Sequence, residues 1–159
     1  MFKVIYQITF LVLIVCLPAV SQEAGYQPVT KFVPERNAEQ DLAMAIKEAE
    51  KSNKTILLDV GGEWCIWCHR IDEFIESDKE IKNFLDKNYV VLKINYSKEN
   101  KNEDFLSKYP KIEGYPHFFV LNKEGRLIHS QNTGELEHEK SYSKEKMMSF
   151  LKKWAPAKK

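Results

Sequence analysis

Short apolar runs along the chain predict the strands of its sheet. The stretches 55–60, 89–95 and 117–121 are rich in β-branched, leucine and aromatic residues and have the length of buried strands. The third is followed by the turn sequence Asn-Lys-Glu-Gly at 122–125 and a shorter apolar stretch at 126–129, so these last two strands form a predicted hairpin.

Apolar residues at helical spacing predict the remaining elements. Five helices are expected, over 37–51, from Cys65, from a Ser-Asp-Lys-Glu capping box at 77–80, over 98–109, and from Ser143 onwards. The segment 135–142 is predicted to be a charged loop. Strands alternating with helices favour a parallel pair, and the hairpin adds antiparallel strands. The pattern therefore predicts an α/β domain with a central mixed sheet flanked by helices.

The first 21 residues differ in composition from the rest. Lys3 gives a positive start, an apolar run follows at 10–17, and the small residues Ala19 and Ser21 stand where a signal peptidase reads. This layout predicts a secretory signal peptide over 1–21, because the apolar run is too short for a comfortable membrane span. An uncleaved N-terminal anchor is the alternative.

The leader prediction divides the chain into three parts. An extended arm or linker over 22–36, with two prolines, follows the signal peptide, and a globular domain occupies 37–156. A lipoprotein site at Cys16 is disfavoured, because the bulky Val15 precedes it where such sites need a small residue.

Charge and length exclude several classes of protein. The 159 residues fit one domain, and 43% hydrophobic content is enough for a packed core. Loss of Lys3 with the leader leaves 23 basic residues against 23 acidic ones. Without a basic excess there is no argument for nucleic-acid binding. The mature form is expected to be a monomer that does not associate with a membrane.

The sequence Cys65-Ile66-Trp67-Cys68-His69 carries the candidate chemistry. A C-x-x-C between a strand and a helix is a redox motif, whereas C-x-x-C-H is also the minimal signal for covalent haem c attachment. Cleavage of the leader removes the third cysteine, so no further cysteine remains for a stapled scaffold. An isolated C-x-x-C in an oxidising compartment favours a redox-active pair over a structural disulfide.

The stretch "ILLDVGGEWCIWCHR" resembles the thioredoxin superfamily. Asp59 lies six residues before Cys65, at the family's spacing for its buried acid, and Lys93 falls where the family carries a lysine near that acid. The later "GYPHFFVLNKEGRLI" resembles the family's cis-proline segment and final hairpin, which places Pro116 at the cis-proline. The resemblance implies a thioredoxin-like fold, here with an N-terminal helical extension.

The resemblance implies roles for four of these side chains. Cys65, at a helix N-terminus, meets unpaired N–H groups and the positive end of the helix dipole, which favour its thiolate and make it the nucleophile. Cys68 is the resolving cysteine, Asp59 takes and returns its proton, and Lys93 moderates the charge of Asp59. For Asp59 and Lys93 an ordinary strand-end acid and a strand lysine with a solvated head are the structural alternatives.

Substrate binding is expected around the predicted cis-proline. A cis bond at Pro116 leaves the backbone of Tyr115 free to pair with an extended substrate. Trp64 and Trp67 are predicted to form an apolar rim for unfolded or peptide-like substrates, with partial core packing as the alternative.

Three departures from the family pattern bear on the direction of electron flow. The dipeptide between the cysteines is Ile66-Trp67, and histidines occupy positions 69 and 117. Both His69 and His117 are expected near the sulfurs, where an imidazolium stabilises a thiolate and makes the disulfide more oxidising. Surface or sheet-end positions are the alternative for both.

The sequence as a whole predicts a periplasmic thiol–disulfide oxidoreductase, with a reductase favoured over an oxidase or isomerase. Its substrates are disulfides of exported proteins, an external donor or acceptor supplies or takes the electrons, and the Cys65–Cys68 disulfide replaces any cofactor or metal. A copper or zinc module using Cys65, Cys68 and either His69 or His117 is the alternative of another class, beside haem attachment.

Overall fold

A four-stranded mixed sheet forms the centre of the fold. The computed structural model describes residues 26–157, so the predicted leader and Cys16 lie outside the described residues. The strands are β1 (Thr55–Gly61), β2 (Tyr89–Asn95), β3 (His117–Leu121) and β4 (Leu127–Asn132), in the spatial order β2-β1-β3-β4. β1 and β2 are parallel and the other pairs are antiparallel, as the sequence predicts.

Five helices and a small hairpin complete the described chain. The helices are α1 (Ala38–Ser52), α2 (Ile66–Ser77), α3 (Lys79–Asn88), α4 (Glu103–Leu106) and α5 (Lys144–Trp154). A 3₁₀ turn at Thr133–Leu136 and the paired strands β5 (Glu137–His138) and β6 (Ser141–Tyr142) occupy the predicted charged loop. No helix within residues 26–157 is long and apolar enough to cross a membrane.

Alternation along the strands gives the sheet two apolar faces. Val60 and Phe119 pack with Ala45 and Ala49 of α1 on one face. The other face, which includes Phe118, packs against α2, α3 and α5 through a second cluster. Helix α1 is therefore one layer of the domain rather than an appendage.

Local capping defines where the helices begin. Asn37 and Ser143 accept backbone N–H bonds at the starts of α1 and α5. At α3 the N-cap is Asp78, one residue after the predicted Ser77, and its carboxylate accepts from the backbone of Glu80 and Ile81. A carboxylate at this position is also favoured by the helix dipole.

The predicted helix over 98–109 is wrong over most of its length. Only Glu103–Leu106 is helical, because asparagine side chains bind the backbone that a longer helix would need. Asn95 Nδ2 donates to the carbonyl of Asn100, and Asn102 Nδ2 donates back to the carbonyl of Asn95. Asn102 itself has a left-handed φ of 48°, which interrupts any helix there.

The arm before α1 is held against the domain. Val29 forms a parallel bridge to Leu92, and the Lys93 amide donates to the Val29 carbonyl at 3.2 Å, so the arm lies along the outer edge of β2. Further on, Asn100 Nδ2 donates to the carbonyl of Pro34 at 2.7 Å. The side chains of Val29 and Phe32 are buried, and the arm therefore contributes to the core.

Candidate active site

The two cysteines lie where β1 ends and α2 begins. Cys65 is the N-cap of α2, with an extended backbone, and its sulfur accepts a hydrogen bond from the Cys68 amide at 3.1 Å. The sulfur thus occupies the place that a serine or aspartate oxygen takes at other helix starts. This position exposes it to the unpaired N–H groups and the positive end of the helix dipole.

Cys65 and Cys68 form a disulfide in this structure. Their Cα atoms are 5.2 Å apart, within the ordinary range for a bridged pair. Cys68 is fully buried and Cys65 is 4% exposed, so the more accessible sulfur is the one at the helix start. A first helical turn brings residues three apart onto one face, which explains why this spacing closes so short a ring.

Gly61 makes room for the inner sulfur. A Cβ atom at Gly61 would lie 2.4 Å from Cys68 Sγ, a distance that real side chains do not tolerate. The Cys68 sulfur therefore lies directly over the end of β1. Asp59, two residues earlier in the same strand, points to the same face of the sheet, so its carboxyl group lies on the face that the disulfide covers.

A lysine between two carboxylates stands behind the disulfide. Lys93 is the register partner of Asp59 across β1 and β2, and its Nζ lies 2.8 Å from Asp59 Oδ2. The same Nζ donates to both carboxylate oxygens of Asp72, at 2.7 and 2.9 Å. Asp72 lies one helical turn after Cys68 and is 41% exposed, whereas Asp59 and Lys93 are buried.

Burial and charge set the proton affinity of this cluster. Burial raises the pKa of Asp59 above its ordinary value, and the attraction of Lys93 offsets only part of that shift. Burial alone would lower the pKa of Lys93, but the two carboxylates together raise it. Asp59 Oδ1 has no hydrogen-bond partner among the described residues. The cluster therefore combines a permanent cation with a buried carboxyl group that has a free oxygen for a proton.

A phenyl ring from the arm closes this cluster from one side. Phe32 is 3% exposed and forms a small apolar cluster with Cys65 and Cys68. The Lys93 Nζ lies 4.2 Å from the centre of the Phe32 ring, a cation–π distance.

The two tryptophans of the motif have different environments. Trp64 is 59% exposed, and its indole N–H donates to the carbonyl of Tyr96 at 2.6 Å. Its ring meets that of Tyr115 edge to face, and Tyr115 in turn stacks on Tyr96. Trp67 is half-buried against Tyr142. An aromatic surface thus borders the disulfide on the Trp64 side, as expected for the predicted rim.

The Tyr115–Pro116 peptide bond is cis, which confirms that prediction from the sequence. Thr133 fixes the segment, since its hydroxyl donates to the Pro116 carbonyl. Tyr115 and Trp67 also pack against the cluster of Phe32 and the cysteines, so the cis-proline segment and the disulfide lie side by side.

The rings of the two histidines are hydrogen-bonded to groups other than the sulfurs. His69 Nε2 lies 2.8 Å from the carbonyl of Glu63, and the side chain is half-exposed. His117 is opposite Val60 in the sheet and contacts Phe119, so its ring lies on the α1 face, away from Asp59 and the disulfide. Burial lowers the pKa of His117, and the neighbouring His129 lowers it further.

The alternative metal site does not form among the described residues. Within residues 26–157 no group of three or more His, Cys, Asp or Glu side chains is placed to hold a metal ion. His117 Nε2 bonds to Ser130 Oγ instead, at 2.8 Å. Cys65 and Cys68, the two cysteines of the haem alternative, are bonded to each other in this structure.

Three residues of this site were not predicted from the sequence. Phe32 stands in a polar stretch with two prolines, where a single aromatic residue gives no periodic signal. Asp72 is one of three acidic residues on α2, and nothing in the pattern distinguishes it from the other two. Thr133 directly precedes Gly134 and belongs to no predicted element. For Asp72 the i, i+4 spacing from Cys68 was an available signal.

Comparison with known families identifies the same region of the chain. A family model described as thioredoxin-like matches residues 37–123, which is more than half of the chain. The match includes β1, β2, β3 and the cysteine motif.

Curated relatives match at low identity. The disulfide bond reductase DsbH of Chlamydia pneumoniae is 24% identical over 98 residues, which cover 56% of this chain and 58% of the relative. The thiol:disulfide interchange protein DsbD of Klebsiella pneumoniae is 26% identical over 109 residues, 69% of this chain but only 17% of the relative. The chain thus spans little more than half of the first protein and a small part of the second.

Solved structures share the fold. A disulphide isomerase from Xylella fastidiosa Temecula1 superposes with a TM-score of 0.67 at 22% identity, covering 77% of this chain and 94% of the other. The oxidised C-terminal domain of Neisseria meningitidis DsbD gives a TM-score of 0.57 at 18% identity, with 74% and 96% covered.

Proposed function

The chain belongs to the thioredoxin-like family, and from this premise we propose that it is a thiol–disulfide oxidoreductase that reduces disulfides of exported proteins. The observation that carries the proposal is the Cys65–Cys68 disulfide at the start of α2, with Asp59 and Lys93 behind it. The names of the curated relatives, a disulfide bond reductase and a thiol:disulfide interchange protein, support the reaction class.

In the proposed reaction the reduced protein attacks first through Cys65. Its thiolate, favoured by the N–H groups of α2, forms a bond to one sulfur of a substrate disulfide and releases the other as a thiolate. The product of this step is a mixed disulfide between Cys65 and the substrate. An extended substrate would lie along the cis-proline segment, with Tyr115 supplying backbone pairing and Trp64 and Trp67 apolar contact.

Cys68 completes the reaction. Its proton passes to the carboxylate of Asp59, and the Cys68 thiolate attacks the Cys65 sulfur, forming the Cys65–Cys68 disulfide and releasing the second substrate thiolate. The protein has then lost two electrons and the substrate has gained them. Both electrons are stored on the cysteine pair, so the reaction requires no dissociable cofactor, but an external dithiol must restore the reduced form.

The location and partners follow from the same proposal. The leader predicted over 1–21 would direct the protein to the periplasm, where exported proteins carry disulfides. The partners are then disulfide-bonded proteins and a thiol donor, with the protein acting as a monomer. Support for reduction over oxidation comes from the name of one curated relative, a disulfide bond reductase.

The redox state in cells tests the direction of electron flow. Cells are acid-quenched, free thiols are alkylated, and the intact mass is read with and without prior reduction. We expect two alkylated thiols without reduction, because a reductase is held reduced by its donor. A resting disulfide, alkylated only after reduction, would overturn the reductase direction in favour of an oxidase. An added haem mass without alkylation would overturn the whole mechanism.

A further inference from the structure

The arm residue Phe32 packs in one small apolar cluster with the two cysteines and lies against the lysine behind them. A Cβ atom built on Gly61 would lie 2.4 Å from Cys68 Sγ and 3.1 Å from the tip of the Phe32 ring, so sulfur and ring lie over the same point of β1. The ring is also 4.2 Å from Lys93 Nζ. One apolar side chain therefore covers the resolving cysteine and the cation that pairs with Asp59.

The backbone around Phe32 fixes the ring in this place. Before it, the bridge of Val29 to Leu92 attaches the arm to the edge of β2, and after it the carbonyl of Pro34 accepts a hydrogen bond from Asn100. The Phe32 amide lies 3.4 Å from a carboxylate oxygen of Glu63, in the turn before Cys65. The arm is thus tied both to the sheet and to the loop that carries the cysteines.

Water has a different route to the charged cluster. A cleft of about 500 Å³ opens along the edge of β2, between the arm and helices α2 and α3, and its lining includes Asp59, Asp72 and Lys93. Cys68 does not line this cleft. Protons can therefore be exchanged between the cluster and solvent on the cleft side, while Phe32 separates the sulfur from water.

We propose that Phe32 is a positioning residue that keeps water away from the Cys68 sulfur and so confines its proton transfer to Asp59. This inference rests on the proposed function, in which Cys68 attacks the mixed disulfide. Without the ring, water would reach the sulfur, solvate its thiolate and compete with Asp59 for the proton. Proton transfer from Cys68 would then no longer be confined to Asp59, and the resolving step would slow. The attack by Cys65 does not use this proton transfer and would be unaffected.

The first test measures access to Cys68 directly. In a Cys65→Ser background Cys68 is the remaining thiol of the mature protein, and its alkylation by iodoacetamide is followed by intact mass. We expect Phe32→Ala to raise the alkylation rate roughly tenfold, because burial is what protects this thiol. Phe32→Leu, which keeps apolar bulk over the sulfur, should restore most of the protection.

The second test separates the two chemical steps. The reduced protein with both cysteines is mixed with an aromatic disulfide whose thiolate absorbs light, and the release of the first and second thiolates is followed in time. In Phe32→Ala the rate of the first release, which reports on Cys65, should stay within about twofold of the unmodified rate. The second release should be roughly tenfold slower. Phe32→Leu should restore the second release towards the unmodified rate.

Phe105→Ala serves as the matched control for lost packing. Phe105 is also 3% exposed, but it lies in the apolar cluster on the α1 face, away from the cysteines. If it accelerates Cys68 alkylation as much as Phe32→Ala does, or if Phe32→Ala leaves both alkylation and second release unchanged, the inference is overturned. Alkylation needs no catalytic turnover. An inactive protein with a Phe32-dependent alkylation rate would therefore count against the proposed function and not against the shielding role.

Discussion

Lys93 stands directly opposite Asp59 in the parallel register of β1 and β2, and 2.8 Å separates its Nζ from Asp59 Oδ2. Both side chains are buried, and Asp72 approaches the same Nζ from α2. One cation is thus shared by an inner and an outer carboxylate. The proton affinity of Asp59 therefore depends on two neighbours that act in opposite directions, Lys93 lowering its pKa and Asp72 raising it.

Asp59→Asn should slow the resolving step and spare the first attack. An amide of the same shape cannot take the proton of Cys68, and the loss of a general base costs about 10²-fold or more. The measurement is the time course of the two thiolate releases from an aromatic disulfide. An unchanged second release in Asp59→Asn would show that the buried carboxylate is not the base.

The neighbours of Asp59 should shift the pH dependence of that step in opposite directions. Lys93→Met removes the cation that favours the carboxylate, so the apparent pKa seen in the second release should rise. Asp72→Asn removes a like charge, and that pKa should fall. The checking measurement is the pH–rate profile of each variant. Shifts of the same sign in both would contradict the shared-cation arrangement.

Stability should depend on pH through the same buried acid. The pKa of Asp59 is raised by burial in the folded protein, so the folded state binds its proton more tightly than the unfolded state does. This contribution to stability is fully present below the unfolded pKa of Asp59 and is lost as the pH rises through the folded one. An asparagine at position 59 does not ionise, so the variant avoids the cost of a buried charge. We therefore expect Asp59→Asn to be more stable than the unmodified protein at neutral pH.

The comparison is made by denaturant unfolding of the oxidised proteins from neutral pH down to pH 3. The advantage of Asp59→Asn should shrink as the pH falls and Asp59 becomes protonated in both states. Asp104→Asn, a change of an exposed acid in α4, is the matched control and should give no comparable gain. A neutral-pH stability of Asp59→Asn below that of the unmodified protein would contradict the burial argument.

The sheet and the cysteine site could be predicted because their signals are local in the sequence. β1 and β2 are mostly apolar runs, each with one charged residue, and the C-x-x-C lies at a strand-to-helix junction that fixes where both sulfurs go. The cis bond at Pro116 followed from a resemblance over a few residues. Each of these features is decided by neighbours along the chain.

The contacts that sequence reasoning missed are between segments distant along the chain. Phe32 reaches the cysteines because Val29 pairs with Leu92. The arm is short and contains prolines, so its sequence has no periodicity that would predict this pairing. The predicted helix over 98–109 failed because asparagine side chains took the backbone partners, a competition that apolar spacing does not reveal. His117 directly follows Pro116 and is expected near the sulfurs, whereas strand alternation turns its ring to the other face of the sheet.

The two cysteines should give different phenotypes when replaced. Cys65→Ser should abolish turnover, because the first attack has no nucleophile. Cys68→Ser should keep that attack and accumulate mixed disulfides with substrate, which intact mass under non-reducing conditions detects. Full activity of Cys68→Ser would rule out the two-cysteine mechanism, since no second thiolate would be needed to release the product.

Adding one methyl group at Gly61 should impair both the stability and the resolving step of the protein. A methyl group there would lie 2.4 Å from Cys68 Sγ and 3.1 Å from the Phe32 ring, so Gly61→Ala must displace the sulfur, the ring or the strand end. Overpacking of this kind costs about 1–3 kcal/mol, and we expect a loss of that size in the free energy of unfolding of the oxidised protein. The second thiolate release should slow as well, because the sulfur is moved from its position above β1.

Gly114→Ala is the matched control for Gly61→Ala, because a Cβ at Gly114 meets nothing within 4 Å. It lies near the cis-proline segment, so a general sensitivity of this end of the sheet to added methyl groups would affect both variants. We expect the free energy of unfolding of Gly114→Ala to lie within about 0.5 kcal/mol of that of the unmodified protein. If the free energy of unfolding of Gly61→Ala were equally unchanged, the Cys68 sulfur would not be confined over β1. The claim that the strand and Phe32 pack closely around this sulfur would then be wrong.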